Sequence, residues 1–267
     1  MLEYKLYKNK ASGSETIVLL HGLGGNYGIF CHQIGIYKKH YHVLAINLPG
    51  HGNSPLTSSS DNPFTAEGIA GEILSLLDEL KISKAHLVGI SLGSVAVHHL
   101  LQQAPDRVQS AVLGGAITRF NPLASFLLLA GNAVKAFIPY MWLYKLFAYV
   151  MMPKSNHARS RKLFIREAMK MKRSDFLAWY GLAFHVKATY VEVQEKSENI
   201  PKLYISGEQD HLFVKPLLED INSDRQATHL LLDCGHVCNV EKPKEFNAAS
   251  MAFFNKHRIE KSISSAL

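Results

Sequence analysis

A serine hydroxyl attacks a carbonyl only with help: it is a weak nucleophile that needs a base, and the base needs an acid to orient it. Three segments of this chain carry those groups, each just after an apolar run. Gly89-Ile90-Ser91-Leu92-Gly93 follows AHLV and precedes a helical pattern. In that context a G-x-S-x-G pentapeptide sets its serine on a sharp strand-to-helix turn. The flanking glycines leave room for the turn, and the helix N-terminus behind it adds positive potential where an oxyanion would form. Gly207-Glu208-Gln209-Asp210 follows KLYIS, and Cys234-Gly235-His236 follows THLLLDC. Asp210 is chosen over Glu208 because it lies deeper in its loop, and over Asp233 because that residue lies within or just past a strand. The strand ending near Gly114-Gly115 supplies no carboxylate. The catalytic set read from these positions is Ser91, Asp210 and His236.

His21-Gly22-Leu23-Gly24-Gly25 closes another apolar run, TIVLL. A glycine-rich turn there presents backbone N–H groups, so Leu23 and Leu92 are the candidate oxyanion donors, and His21 is expected to brace the loop. The same turn does not fit a dinucleotide: the third glycine would fall at Tyr27, and the next strand ends on Asn47 rather than an acid. Cys234-x-His236-x-Cys238 lacks the further ligands zinc requires, so neither metal nor cofactor is expected.

The elements that must position these groups show in the hydrophobic pattern. Thr16–Leu20, Tyr41–Ile46, Ala85–Ile90, Val108–Leu113, Lys202–Ser206 and Thr228–Leu232 read as strands whose near-continuous apolarity suits a parallel sheet covered on both faces. Helices are expected over Ala66–Leu80, from just after Ser91 to about Gln103, and from Pro243 with Phe246, Met251 and Phe254 facing inward. Strand–helix alternation at this spacing predicts an α/β fold with a mostly parallel, doubly wound sheet. Residues 119–190 interrupt the rhythm. Pro122 to Met152 is almost wholly apolar but is broken by Gly131-Asn132, Lys135 and Pro139, which predicts two helices rather than a membrane span. Further helices are expected over about 155–172 and 174–185. The core is therefore placed at 1–118 and 191–267, with 119–190 as an inserted helical cap.

Composition bounds the rest. With 267 residues, 47% hydrophobic and 19% charged, the chain is long enough for one large domain with a buried core and is neither disordered nor fibrous. Its three cysteines, Cys31, Cys234 and Cys238, are too few for a disulfide scaffold and favour a reducing compartment. The polar MLEYKLYKNK start does not read as a signal peptide, and a cytoplasmic location is expected. The net charge of +7 is uneven: residues 119–190 hold 12 Lys/Arg and two acids, Glu167 and Asp175. That charge either keeps a helix face solvated or draws the cap to an anionic lipid surface. No nucleic-acid partner is expected, and no pattern sets an oligomeric state.

Together, HGLGG at 21–25, NLPGHGNS at 47–54, GISLG at 89–93, GEQD at 207–210 and GHVCNVEKP at 235–243 resemble the α/β-hydrolase superfamily, specifically its serine hydrolases with a helical cap, of carboxylesterase or lipase-like type. The resemblance covers both halves of the chain outside the cap. It implies that Ser91 attacks an acyl carbonyl, that His236 moves the proton with Asp210 orienting it, and that the Leu23 and Leu92 amides hold the oxyanion. Asn47 and Ser94 depart from the family, which commonly has Asp and Gly there; both positions are structural. Cap residues Phe120, Leu127, Trp142, Phe147 and Trp179 are the expected lining of an acyl pocket, alongside Phe126, Phe137 and Leu146. The expected activity is hydrolysis of a hydrophobic carboxylic ester. The same resemblance also admits a lyase, a carbon–carbon bond hydrolase, or a non-hydrolytic protein that senses a hydrophobic signal.

Overall fold

The computed structural model describes residues 1–10, 14–56 and 64–258, with only the backbone at 187–189. The chain runs β1 (Tyr4–Tyr7), β2 (Thr16–Leu20), α1 (Cys31–Tyr37), β3 (His42–Ile46), α2 (Ala66–Glu79), β4 (Ala85–Ile90), α3 (Leu92–Gln103) and β5 (Val108–Gly114). Then come α4 (Pro122–Val134), α5 (Tyr140–Met151), α6 (Ala158–Ala168), α7 (Arg173–Leu182) and α8 (Val186–Lys196). The chain closes with β6 (Lys202–Gly207), α9 (Val214–Ile221), β7 (Ala227–Leu232), the short α10 (Cys238–Glu241) and α11 (Pro243–Lys256).

The strands form one seven-stranded sheet in the order β1-β3-β2-β4-β5-β6-β7, parallel except for β1, which pairs antiparallel with β3. Every residue of β2, β4 and β6 is buried, as their unbroken apolar runs predict for strands covered on both faces. One face packs α1 and α11 through Phe30, Ile34, Tyr37, Phe246 and Phe254; the other packs α2 and α3 through Ile69, Ile73, Leu76, Val97 and Leu101. After β2 the chain winds to β3 on one side, then returns to β4 on the other. The loops after β2 and β4 thus diverge at the carboxyl ends of adjacent strands, where an open α/β sheet leaves a crevice.

Two differences from the sequence reading bear on the sheet and on the inserted segment. The pattern gives no sign of β1, because YKLY is short and only partly buried, and its pairing is to a strand some 40 positions on. The expected boundary at 190 falls inside α8. Tyr190 is buried there with its ring 5.1 Å from that of His98, so α8 packs against α3.

Candidate functional site

Ser91 is where the backbone is most constrained. It links β4 directly to α3 with φ 53° and ψ −121°, a left-handed conformation that a non-glycine residue adopts at a cost of about 1–3 kcal/mol. The turn exists because nothing else fits. A side chain at Gly89 would meet the Gly93 carbonyl oxygen at 2.6 Å, and one at Gly93 would run into the Leu20 and His21 carbonyl oxygens. The Ser91 amide donates to Gly114 O (2.9 Å), tying the turn to the end of β5.

The hydroxyl so displayed meets two groups from the distant half of the chain. Ser91 Oγ lies 2.7 Å from His236 Nε2, and His236 Nδ1 lies 2.7 Å from Asp210 Oδ2. His236 and Asp210 are fully buried, and the Phe213 ring packs 5.1 Å from the imidazole. Asp210 Oδ1 is buried with no hydrogen-bond donor among the described residues, so the carboxylate directs its one buried hydrogen bond at the imidazole. An Nδ1–H donated to Asp210 leaves Nε2 free to accept from the serine. The rejected carboxylates, Glu208 and Asp233, are both exposed.

Beside Ser91, the loop after β2 is held by two neutral histidines. His21 Nε2 accepts from Leu48 N (3.0 Å), which leaves Nδ1–H to donate to Gly22 O (2.8 Å); Gly25 N donates to the same oxygen (3.0 Å). With the Gly22 carbonyl held inward, the N–H of the same peptide, that of Leu23, points the opposite way. His51 Nε2 accepts from Gly24 N (2.9 Å) while Nδ1 donates to Pro49 O (3.0 Å). Burial, reinforced by the neighbouring His51, holds His21 well below the usual imidazole range, and burial takes His51 down to about 4. Leu92 N is the first amide of α3 and so has no intrahelical acceptor. The Leu23 and Leu92 peptides flank Ser91 along the rim of one cavity.

That cavity, of about 280 Å³, runs from Ser91 up into α4, α5 and α7, and among the described residues it has no charged side chain in its lining. Phe120, Leu127, Leu146, Phe147 and Trp179 line it, as the sequence suggests. Trp142 does not: it is 66% exposed, as is Phe126, while Phe137 is 87% exposed. On α5 the inward face carries Leu143, Tyr144, Phe147 and Met151, and Trp142 sits on nearly the opposite side of the helix. Tyr144 is a lining residue that sequence reasoning missed, although its spacing from Phe147 and Met151 places it on the inward face. Its hydroxyl donates to Leu23 O (2.9 Å). Trp179 Nε1 donates to Pro49 O (2.8 Å) and Tyr180 Oη to Leu128 O, so the polar tips of the lining aromatics are spent on backbone carbonyls.

The helices over the cavity also grip the loops that carry Asp210 and His236. Ser160 Oγ of α6 donates to Glu241 Oε1 (2.8 Å), and Glu241 Oε2 accepts the Gly235 amide (2.8 Å) beside His236. His157 Nε2 (2.8 Å) and Asn156 Nδ2 (3.1 Å) reach Gln209 Oε1, next to Asp210. The contacts of Ser160, His157 and Asn156 have no local sequence signature, because each links segments tens of residues apart. Cys234 and Cys238 are buried near the site; burial pushes the Cys234 thiol up to about 12, so it stays protonated.

A family model described as the α/β hydrolase fold matches residues 15–148, half of the 267-residue chain. The chain is an α/β hydrolase. A Pantoea ananatis protein whose name, RutD, proposes a carbamate hydrolase is 28% identical, covering 91% of this hydrolase and 90% of that protein. A 3-oxoadipate enol-lactonase of Acinetobacter baylyi is also 28% identical, covering 89% and 88%. A solved hydrolase structure from Pseudomonas aeruginosa PA01 superposes with a TM-score of 0.79 at 23% identity, covering 95% and 94%. Among the described residues, no helix of this hydrolase is long and apolar enough to cross a membrane.

Proposed function

We propose that this hydrolase cleaves the ester bond of an uncharged, hydrophobic carboxylic ester through an acyl-enzyme on Ser91. The observation that carries the reading is the continuity of the Asp210–His236–Ser91 hydrogen-bonded chain with an apolar cavity that opens onto Ser91 Oγ. His236 Nε2 takes the hydroxyl proton as Oγ attacks the acyl carbonyl, and Asp210 steadies the imidazolium that forms. The Leu23 and Leu92 amides receive the oxyanion, which then collapses as His236 protonates the leaving alcohol. Water, deprotonated by the same imidazole, releases the acid.

The lining favours a neutral ester over a carboxylate-bearing one, since a buried carboxylate needs a charged or hydrogen-bonding partner and the described lining residues supply no cation. In this reading α4–α7, within the segment placed at 119–190, act as a cap over an oxyanion hole, and the enzyme works in the reducing cytoplasm, which three cysteines, too few for a disulfide scaffold, favour. A fluorophosphonate probe is expected to label the wild type and not Ser91→Ala, with ester turnover falling on the order of 10⁴–10⁶-fold in the variant. Across p-nitrophenyl esters, kcat/KM should climb about fourfold per added methylene until the cavity is full. A wild type that fails to label, or a flat chain-length series, refutes the reading.

A further inference from the structure

The cavity walls are also part of an apolar surface that nothing among the described residues covers. On α4, Leu123 (46% exposed), Phe126 (66%), Leu129 (62%) and Val134 (41%) face outward, and Phe137 (87%) stands at the turn into α5. On α5, Trp142 (66%), Leu146 (54%) and Tyr149 (56%) continue it, spaced i, i+4, i+7 along one helix face. Isolated exposed apolar residues are ordinary, but a contiguous patch of large aromatics marks a surface that meets another apolar phase.

Two features indicate which phase. The first is charge. From Lys135 to Arg173 the chain holds ten Lys/Arg against one acid, Glu167, and cations border the patch directly. Lys145 lies on the same exposed face of α5. The Arg161 guanidinium sits 4.5 Å from the Tyr149 ring centre, and Arg173 Nη2 donates to Lys135 O (2.7 Å) and Ala136 O (3.2 Å), next to Phe137. Apolar and aromatic side chains ringed by long cationic ones fit the interface of an anionic bilayer, where the rings enter the headgroup layer and the cations meet phosphates. A second copy of the same basic surface would be repelled. The second feature is continuity. Val134 and Leu146 are exposed on the patch and also line the cavity above Ser91.

We infer that the outer face of α4 and α5 docks on anionic lipid bilayers, and that a lipid-soluble ester passes between these helices from the bilayer to Ser91. The route to Ser91 rests on the esterase reading; the docking does not. The test is sedimentation with phosphatidylcholine vesicles, with and without phosphatidylglycerol, together with tryptophan emission. Partition is expected to be at least about tenfold stronger on the anionic vesicles and to fall steeply with salt, since each basic side chain near such a surface contributes on the order of fivefold. Of the two tryptophans, Trp179 is buried, so a blue shift on vesicle addition reports Trp142; Trp142→Phe should bind without the shift.

Phe126→Ser with Phe137→Ser should lose about tenfold or more in partition while hydrolysing a short water-soluble ester at the wild-type rate, because neither residue lines the cavity. Equal partition on neutral vesicles, or none, overturns the docking. So does a dimer in sedimentation velocity that Phe137→Ser abolishes while vesicles leave the wild type unbound, which would make the patch an interface between copies. Loss of hydrolysis in a wild type that still sediments with anionic vesicles would overturn the esterase reading and uphold the docking.

Discussion

Asn47 shows how a single side chain departs from the family pattern and yet fits this chain. Its Oδ1 accepts the Tyr27 amide (2.8 Å) and its Nδ2 donates to Glu3 Oε2 (2.6 Å). Burial raises the Glu3 pKa, but hydrogen bonds from the Asn53 amide and the side chains of Asn47 and Asn53 outweigh it and leave it lowered, so Glu3 is an anion beside position 47. An aspartate there could keep the Tyr27 bond but would set two carboxylates face to face. Asn47→Asp should therefore cost about 1–2 kcal/mol, read as a drop in the denaturant midpoint, and Glu3→Gln should restore most of it in the double variant. Ser94, the other departure, is equally occupied: its Oγ donates to Ser91 O (2.6 Å) and accepts from Ile117 N (3.1 Å), bracing the turn that carries Ser91.

Between elements, the contacts that matter most join α6 to the loops after β6 and β7. If Glu241 keeps His236 in place through the Gly235 amide and Ser160, Glu241→Ala should lower kcat by about 10–100-fold with KM little changed, because misplacement of a base is felt in the transition state. Glu241→Gln can still accept from Gly235 N and donate to Ser160 Oγ, so it should recover most of the rate; a variant pair with equal rates would refute the positioning role. This layer is also where the sequence stops being readable. Ser91, Asp210 and His236 each sit at a strand end with a local turn signature, so the strands that position them could be traced from hydrophobicity alone. The phase of α5 could not: in an almost wholly apolar helix, Trp142 and Tyr144 look equally suited to face inward, and only the neighbouring α6 and α7 decide. β1 was hidden for a related reason, since its stability comes from pairing with β3 rather than from its own four residues.

At the scale of the whole molecule, several imidazoles are folded away uncharged. Burial takes His51 and His86 to about 4 and His98 to about 3, and holds His21 well below its ordinary value. An unfolded chain binds protons at these sites below about pH 6.5 whereas the folded chain does not until near pH 4, so the unfolded state takes up more protons in that window. Stability should be complete above about pH 6.5 and fall steadily towards pH 4, with His51 alone accounting for about 3 kcal/mol. Denaturant melts across that range check it, and a flat profile would contradict the neutral assignment. Acid should also disable the loop around Leu23 first, since His21 and His51 hold it only while uncharged. That loop is fastened from above as well, by the Tyr144 hydroxyl on the Leu23 carbonyl. Burial raises that phenol well above its usual pKa, so it stays protonated and keeps donating. One hydroxyl thus works as a latch between roof and floor, so that any displacement of α5 would be felt at once in the backbone next to Ser91.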